Sequence, residues 1–60
     1  MKRKDYTNGC TVTMEKTFPA GYYKLKITDQ DCRVVDRITC DDYREACSYW
    51  TSFNKIAKGA

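Results

Sequence analysis

The chain has 60 residues, with 11 lysines and arginines, 8 acidic residues and no histidine, so its formal net charge is +3. A chain of this length forms at most one domain and buries only about 60% of the surface that its unfolded form exposes. A deep active-site cleft is therefore not expected. The modest positive charge is compatible with nucleic-acid binding but does not require it.

Residues 1–9 are polar, and we interpret them as a loose basic arm. The basic residues of this arm are Lys2, Arg3 and Lys4. Asp5, Asn8 and Gly9 stand where the apolar region of a secretion signal would have to be. We therefore expect no export and no membrane span, but a cytoplasmic protein whose cysteines stay reduced.

Residues 10–39 predict a three-stranded sheet. Apolar and polar residues alternate from Cys10 and again from Tyr22, which is typical of half-buried strands. Two turn signals separate the strands, Pro19-Ala20-Gly21 and Asp29-Gln30-Asp31. The third strand is expected to run from about residue 32 to residue 38.

The register of this third strand is open. Val34 and Ile38 share a face with Asp36, whereas Val35 shares a face with two arginines. A bulge near Val35-Asp36 is one way to reconcile the pattern with a single buried face.

Residues 40–58 predict an amphipathic helix. The apolar residues with helical spacing are Tyr43, Ala46, Cys47, Trp50, Phe53 and Ala57. Thr39 followed by Asp42 resembles a capping box, and lysines with Gly59 mark the other end. The predicted fold is thus α+β, a single domain over residues 1–60 in which a three-stranded antiparallel meander packs one face against a C-terminal helix (βββα).

The cysteines, at positions 10, 32, 40 and 47, form no C-x-x-C pair and have no histidine to complete a mixed zinc site. Structural zinc and a disulfide are alternatives, but small core hydrophobes are the simplest interpretation. Cys40 falls at the predicted first turn of the helix, where amide dipoles lower a thiol pKa, although Asp41 and Asp42 oppose this effect. We expect no enzyme, no metal and no cofactor.

Two surfaces are candidate binding sites. The outer sheet face collects basic and tyrosine side chains that can contact phosphates or an acidic partner, and the arm can join them. Its candidate residues are Tyr22, Lys24, Lys26, Arg33 and Arg37, with Lys2, Arg3 and Lys4. The helix flank offers Tyr49, Ile56 and Arg44 to a protein partner or to a second copy of the chain. Solvation of the sheet face and coverage of the sheet margin are the alternative explanations.

The element order resembles two families of DNA-binding domains, the arm-type amino-terminal domains of phage and transposon integrases and the AP2-type domains. That resemblance implies that Lys24, Lys26, Arg33 and Arg37 face the major groove of duplex DNA. In size and style the chain also resembles small phage-encoded inhibitors, including anti-CRISPR proteins.

We therefore expect a non-enzymatic binding protein, encoded by a phage or mobile element, that inhibits or modulates a host protein or nucleoprotein machine by occluding its surface in the host cytoplasm. The alternative is a DNA-binding module that uses the basic outer face of the sheet. A secreted, disulfide-stapled peptide is a third hypothesis.

Overall fold

The computed structural model of the protein describes residues 2–17 and 21–59. Its elements are β1 (Lys2–Asp5), β2 (Thr11–Lys16), β3 (Tyr23–Thr28), β4 (Val34–Cys40) and α1 (Tyr43–Gly59). The strands form one antiparallel sheet in the order β1-β2-β3-β4. The fold is α+β with four strands, so the prediction of a three-stranded sheet is wrong. Pro19 and Ala20 of the predicted first turn lie outside the described residues.

The additional strand is β1, which the sequence analysis interpreted as a loose arm. It pairs with β2 so that Lys2 lies opposite Met14 and Asp5 lies opposite Thr11. Its sequence, KRKD, contains no apolar residue whose alternation would indicate a strand. Backbone pairing to β2 and a hydrogen bond from the Thr11 hydroxyl to Asp5 (2.8 Å) hold it in place.

The turn between β1 and β2 connects the sheet to the end of the helix. Asn8 donates from Nδ2 to the carbonyl of Ala57 (2.8 Å) and accepts the backbone N–H of Cys10 on Oδ1 (3.0 Å). Gly9 has a φ of +89°, and a Cβ there would stand 2.5 Å from the Cβ of Gln30. Glycine is therefore required where this turn meets the turn between β3 and β4.

The register between β3 and β4 contains a bulge at Val35. Ile27 lies opposite Asp36, whereas the next residue of β3, Thr28, lies opposite Val34. The bulge that the sequence suggested is present, and it fixes which side chains of β4 face the helix. Ile38 falls on the same face as the buried Leu25, and the alternating residues of β4 fall on the other face.

The helix begins three residues later than predicted. Cys40 still pairs with Tyr23 of β3, so the chain stays extended through residue 40. Asp42 is the N-cap, because its Oδ1 accepts the N–H of Arg44 (2.9 Å) and its carbonyl accepts the N–H of Ala46 (2.9 Å). The prediction that Thr39 caps the helix is therefore wrong.

The core lies between α1 and the two central strands. Its buried residues are Cys10, Val12, Met14, Leu25, Ile27, Cys40, Ala46, Phe53 and Ala57. Tyr43, which the helical spacing placed with the apolar residues, is 53% exposed, and its ring lies 5.6 Å from that of Tyr23. No helix within residues 2–17 and 21–59 is long and apolar enough to cross a membrane.

Candidate functional site

Within residues 2–17 and 21–59, no secondary-structure element packs on the face of the sheet opposite α1, and we call it the open face. Its residues alternate along each strand with those that face the helix. They are Arg3, Asp5, Thr11, Thr13, Glu15, Lys24, Lys26, Thr28, Arg37 and Thr39, with Val34 at one end. Charged side chains and threonine hydroxyls therefore form nearly all of this surface.

One line of residues crosses all four strands on the open face. Arg3 lies opposite Thr13, Thr13 lies opposite Lys26, and Lys26 lies opposite Arg37. We call Arg3, Thr13, Lys26 and Arg37 the basic row. Because neighbouring strands are about 4.8 Å apart, the row is about 14 Å long from β1 to β4. Lys24 lies two residues along β3 from Lys26 and extends the positive charge sideways.

The basic row concentrates positive charge at the expense of stability. Lys26 and Arg37 are like charges in directly opposite positions, which destabilises a sheet. Among the residues that the structure describes, neither forms an ion pair with a carboxylate. Glu15 lies opposite Lys24 and reduces the charge at that side. The Lys26 and Arg37 side chains thus present their charge to solvent.

Arg3 is held in place by a neighbouring carboxylate. A guanidinium nitrogen of Arg3 lies 3.4 Å from Asp5 Oδ1, and both side chains are exposed. The hydrogen bond from the Thr11 hydroxyl lowers the pKa of Asp5, and the charge of Arg3 lowers it further. Asp5 therefore orients Arg3 and also offsets part of its charge.

The open face is concave. One groove of 530 Å³ extends across β2, β3 and β4 and is lined by Lys24 and Arg37, and a second of 460 Å³ reaches Arg3 on β1. Thr13, Glu15 and Lys26 line both grooves. The two grooves therefore form one continuous surface with the basic row running through it.

The structure brings together four of the seven basic residues that the sequence assigned to this face. Lys24, Lys26 and Arg37 lie on the open face, and Arg3 joins them through β1. Lys2 and Lys4 do not, because strand alternation turns them toward the helix side of the sheet. Their assignment to the outer face followed from treating β1 as an arm.

The remaining two predicted residues of this face lie at its margins. Tyr22 precedes β3 and is 46% exposed; its carbonyl accepts the backbone N–H of Thr17, and its own N–H donates to the Thr17 hydroxyl. Arg33 belongs to the turn before β4, where Asp29 accepts its backbone N–H at 2.9 Å. Neither residue lines the two grooves of the open face.

A second surface, which was not predicted from the sequence, lies along α1 beside Tyr6, the residue that follows β1. It is a groove of 330 Å³ lined by Tyr6, Trp50, Thr51, Asn54, Lys55 and Lys58. We call it the aromatic groove. The helical spacing of Trp50, Lys55 and Lys58 is visible in the sequence. Their proximity to Tyr6 is not visible in the sequence, because it depends on β1 forming a strand.

The residues predicted as a protein-binding helix flank do not form one patch. Tyr49 is half-buried, packs against the core, and has its ring centroid 6.4 Å from that of Phe53. Ile56 is 46% exposed and lies 12 residues after Arg44, which is about 18 Å along the helix. Tyr49 therefore covers the sheet margin, and only Ile56 is an exposed apolar residue of that set.

The cysteines are distributed between core and surface. Cys10 and Cys40 are buried, Cys47 is half-buried and Cys32 is exposed. Cys40 ends β4 instead of starting the helix, and burial raises the pKa of its thiol, with the charge of Glu45 adding to the effect. The placement of Cys40 in the first turn of the helix is thus wrong. In the described part of the chain, no group of three cysteine or acidic side chains is placed to hold a metal ion.

The four-stranded sheet also differs from the three-stranded integrase and AP2 sheets that the element order resembles, because β1 adds an edge to the open face. Comparison of the chain with protein-family models, with curated proteins and with solved structures gave no match.

Proposed function

We propose that this protein binds duplex DNA through the open face and contacts mainly its phosphate backbone. The basic row carries the proposal, because it places Arg3, Lys26 and Arg37 in one line across the sheet. Cations in such an array neutralise phosphates and release counterions, which supplies most of the affinity in sequence-independent binding.

The hydroxyl groups of the open face support the same interpretation. Thr13 lies inside the basic row, and Thr39 lies beside Lys24 across the β3–β4 pair. Threonine hydroxyls and basic side chains are the usual donors to phosphate oxygens. A surface of this kind can bind a polyanion without any aromatic or apolar anchor.

The lack of an apolar centre favours a nucleic acid over a protein partner. Protein interfaces depend on a desolvated core that contains aromatic or aliphatic anchors. Among the described strand residues of the open face only Val34 is apolar, and it lies at one end. Occlusion of a host protein or nucleoprotein machine, which the sequence led us to expect, stays a hypothesis without such an anchor on this face.

The dimensions of the sheet indicate how a duplex would be contacted. The major groove is about 12 Å wide and admits a helix or a two-stranded ribbon. The basic row is about 14 Å long, which is wider than the groove, so the row would contact the phosphates on its edges. Sheets that bind single strands use aromatic side chains on the strands, and none of the described strand residues of the open face is aromatic. Backbone contact with a duplex, with little sequence preference, fits best.

The test is the salt dependence of duplex binding, measured by fluorescence anisotropy of a labelled 20-base-pair DNA. The double variant Lys26→Gln with Arg37→Gln should bind more weakly, and the slope of log K against log salt should fall by about 0.9 per lost phosphate contact. The wild-type protein should show no more than a few-fold preference among unrelated duplex sequences.

The matched control removes two charges elsewhere, at Arg33 and Arg44, which lie in the β3–β4 turn and at the start of α1. Its salt slope should stay close to that of the wild type if the basic row is the contact surface. Equal losses in both double variants would mean that net charge alone drives binding. No binding at low salt would exclude the proposal and direct attention to an acidic protein partner.

A further inference from the structure

The aromatic groove has a charge and ring arrangement different from that of the open face. Its floor is formed by Tyr6 and Trp50, both half-buried. Lys55 and Lys58 line it, and its described lining contains no carboxylate. This combination of rings and unopposed ammonium groups has no counterpart on the open face.

Hydrogen bonds hold Tyr6, one of the two rings, in place beside the helix. The Tyr6 hydroxyl donates to Oδ1 of Asn54, and Asn54 Nδ2 donates to the carbonyl of Trp50 (2.7 Å). The backbone N–H of Tyr6 donates to the carbonyl of Cys10 (2.8 Å). A side chain held in this way needs little reordering when a ligand arrives, which favours binding.

Two lysines of β1 extend the positive charge over the rings. The ammonium of Lys2 lies 5.9 Å from the ring centroid of Trp50, and that of Lys4 lies 6.0 Å from the ring centroid of Tyr6. These distances are within the range of cation–π contacts. The outer ring faces thus meet ammonium groups in this structure, and a base that stacks on Trp50 would displace the Lys2 ammonium from that face.

The size of the groove limits its ligand. Its volume of 330 Å³ is at the lower end of the range for small-molecule sites, about 300–1,000 Å³. Aromatic side chains beside basic ones are the arrangement that binds unpaired bases, with the ring stacking on the base and the cations meeting the phosphates. One nucleotide fits these dimensions, whereas a folded duplex does not.

We infer that the aromatic groove binds an unpaired base of a single-stranded nucleic acid, which stacks against Trp50 while Lys55 and Lys58 contact the adjoining phosphates. The inference is independent of duplex binding by the open face, because no residue of the basic row lines this groove. It adds a second mode of nucleic-acid binding, at a groove along α1 that is separate from the open face.

Trp50 is the only tryptophan of the chain, so its fluorescence reports on this groove alone. We expect an eight-residue oligothymidylate to quench Trp50 fluorescence and to bind about tenfold more tightly than an abasic oligomer with the same number of phosphates. Equal binding of the two oligomers would show that charge and not base stacking holds the strand, and would overturn the inference.

Variants separate this site from the open face. By anisotropy with the labelled oligothymidylate, Trp50→Leu should lose about tenfold in affinity and Trp50→Phe, which keeps a ring, only two- to threefold. Trp50→Phe keeps the test valid if Trp50→Leu fails to fold. Lys26→Gln with Arg37→Gln should leave the preference for oligothymidylate over the abasic oligomer unchanged, so failure of the duplex proposal is recognised separately. Preferential binding of an octaglutamate peptide would assign the groove to acidic proteins instead.

Discussion

The two faces of the sheet have different roles, since one packs the core and the other presents charged side chains to solvent. On the side covered by α1, Val12, Leu25 and Ile27 are 0–1% exposed and form the centre of the core. On the open face, residues one position away, such as Lys26, are exposed and charged. Because alternate residues of a strand point to opposite faces, stability and binding are assigned to separate sets of neighbouring positions.

The magnitudes on the two faces differ as well. Burial of a large aliphatic or aromatic side chain stabilises a fold by about 1.5–3 kcal/mol. On the open face, cross-strand pairs contribute at most about 1 kcal/mol, and the opposed Lys26 and Arg37 are destabilising. A chain of this size has a small total stability, so the covered face must outweigh an open face whose charges are arranged for a ligand.

The largest expected effect is therefore a truncation on the covered face. Phe53 is 5% exposed and contacts the core from the centre of α1. Phe53→Ala should lower the free energy of unfolding by about 3–5 kcal/mol, and the milder Phe53→Leu by less. Thr13→Ala, in the middle of the basic row, should lower it by no more than about 1 kcal/mol, the span of strand propensities. Urea unfolding followed by circular dichroism measures both, and similar losses in the two alanine variants would contradict the division between the faces.

An intermediate effect is expected from charge reversal on the open face. Lys26→Glu converts the like-charge pair with Arg37 into an opposite-charge pair and should stabilise the fold by about 0.2–1 kcal/mol. The same change removes a phosphate contact, so duplex binding should weaken. Stability and binding would then change in opposite directions.

Lys24→Glu provides the matched control for this reversal. Lys24 lies opposite Glu15, so a glutamate at position 24 creates a like-charge pair and should destabilise the fold by a similar amount. Both variants lose the same net charge and both lie on β3. If urea unfolding showed stability changes of the same sign for both, cross-strand charge pairing would not be what sets the stability of the open face.

Parts of this division could be predicted from the sequence, and the reasons are local. Alternation in β2 and β3 identified the buried Val12, Leu25 and Ile27, and it placed Lys24 and Lys26 together on the other face. Helical spacing identified Phe53 and Ala57 as core residues. Each of these patterns depends on apolar residues within one element.

The rest of the fold and of the candidate site depended on pairing between elements, which the periodicity of apolar residues within one element cannot show. An edge strand can be held by backbone bonds to one neighbour, so β1 forms although its sequence, KRKD, has no apolar residue. Because β1 was not predicted as a strand, Lys2 and Lys4 were assigned to the wrong face and the aromatic groove was not found. The basic row needed the register of β4 as well, and that register is set by the bulge at Val35.

The smallest expected effect comes from Asp5, at the solvent-exposed end of β1. Its folded-state pKa is lowered by the Thr11 hydroxyl and by Arg3, so its contribution to stability is present above the ordinary aspartate pKa of about 3.9 and is lost as pH falls through the lowered value. An NMR titration should find the Asp5 pKa below the ordinary value in the wild type, and Thr11→Val should move it back upward. Asp5→Asn should remove this part of the pH dependence and, because it leaves the charge of Arg3 unopposed, should tighten duplex binding a few-fold. Weaker duplex binding by Asp5→Asn would instead mean that Asp5 serves chiefly to orient Arg3 toward the phosphates, since the loss of that orientation would then outweigh the gain in positive charge.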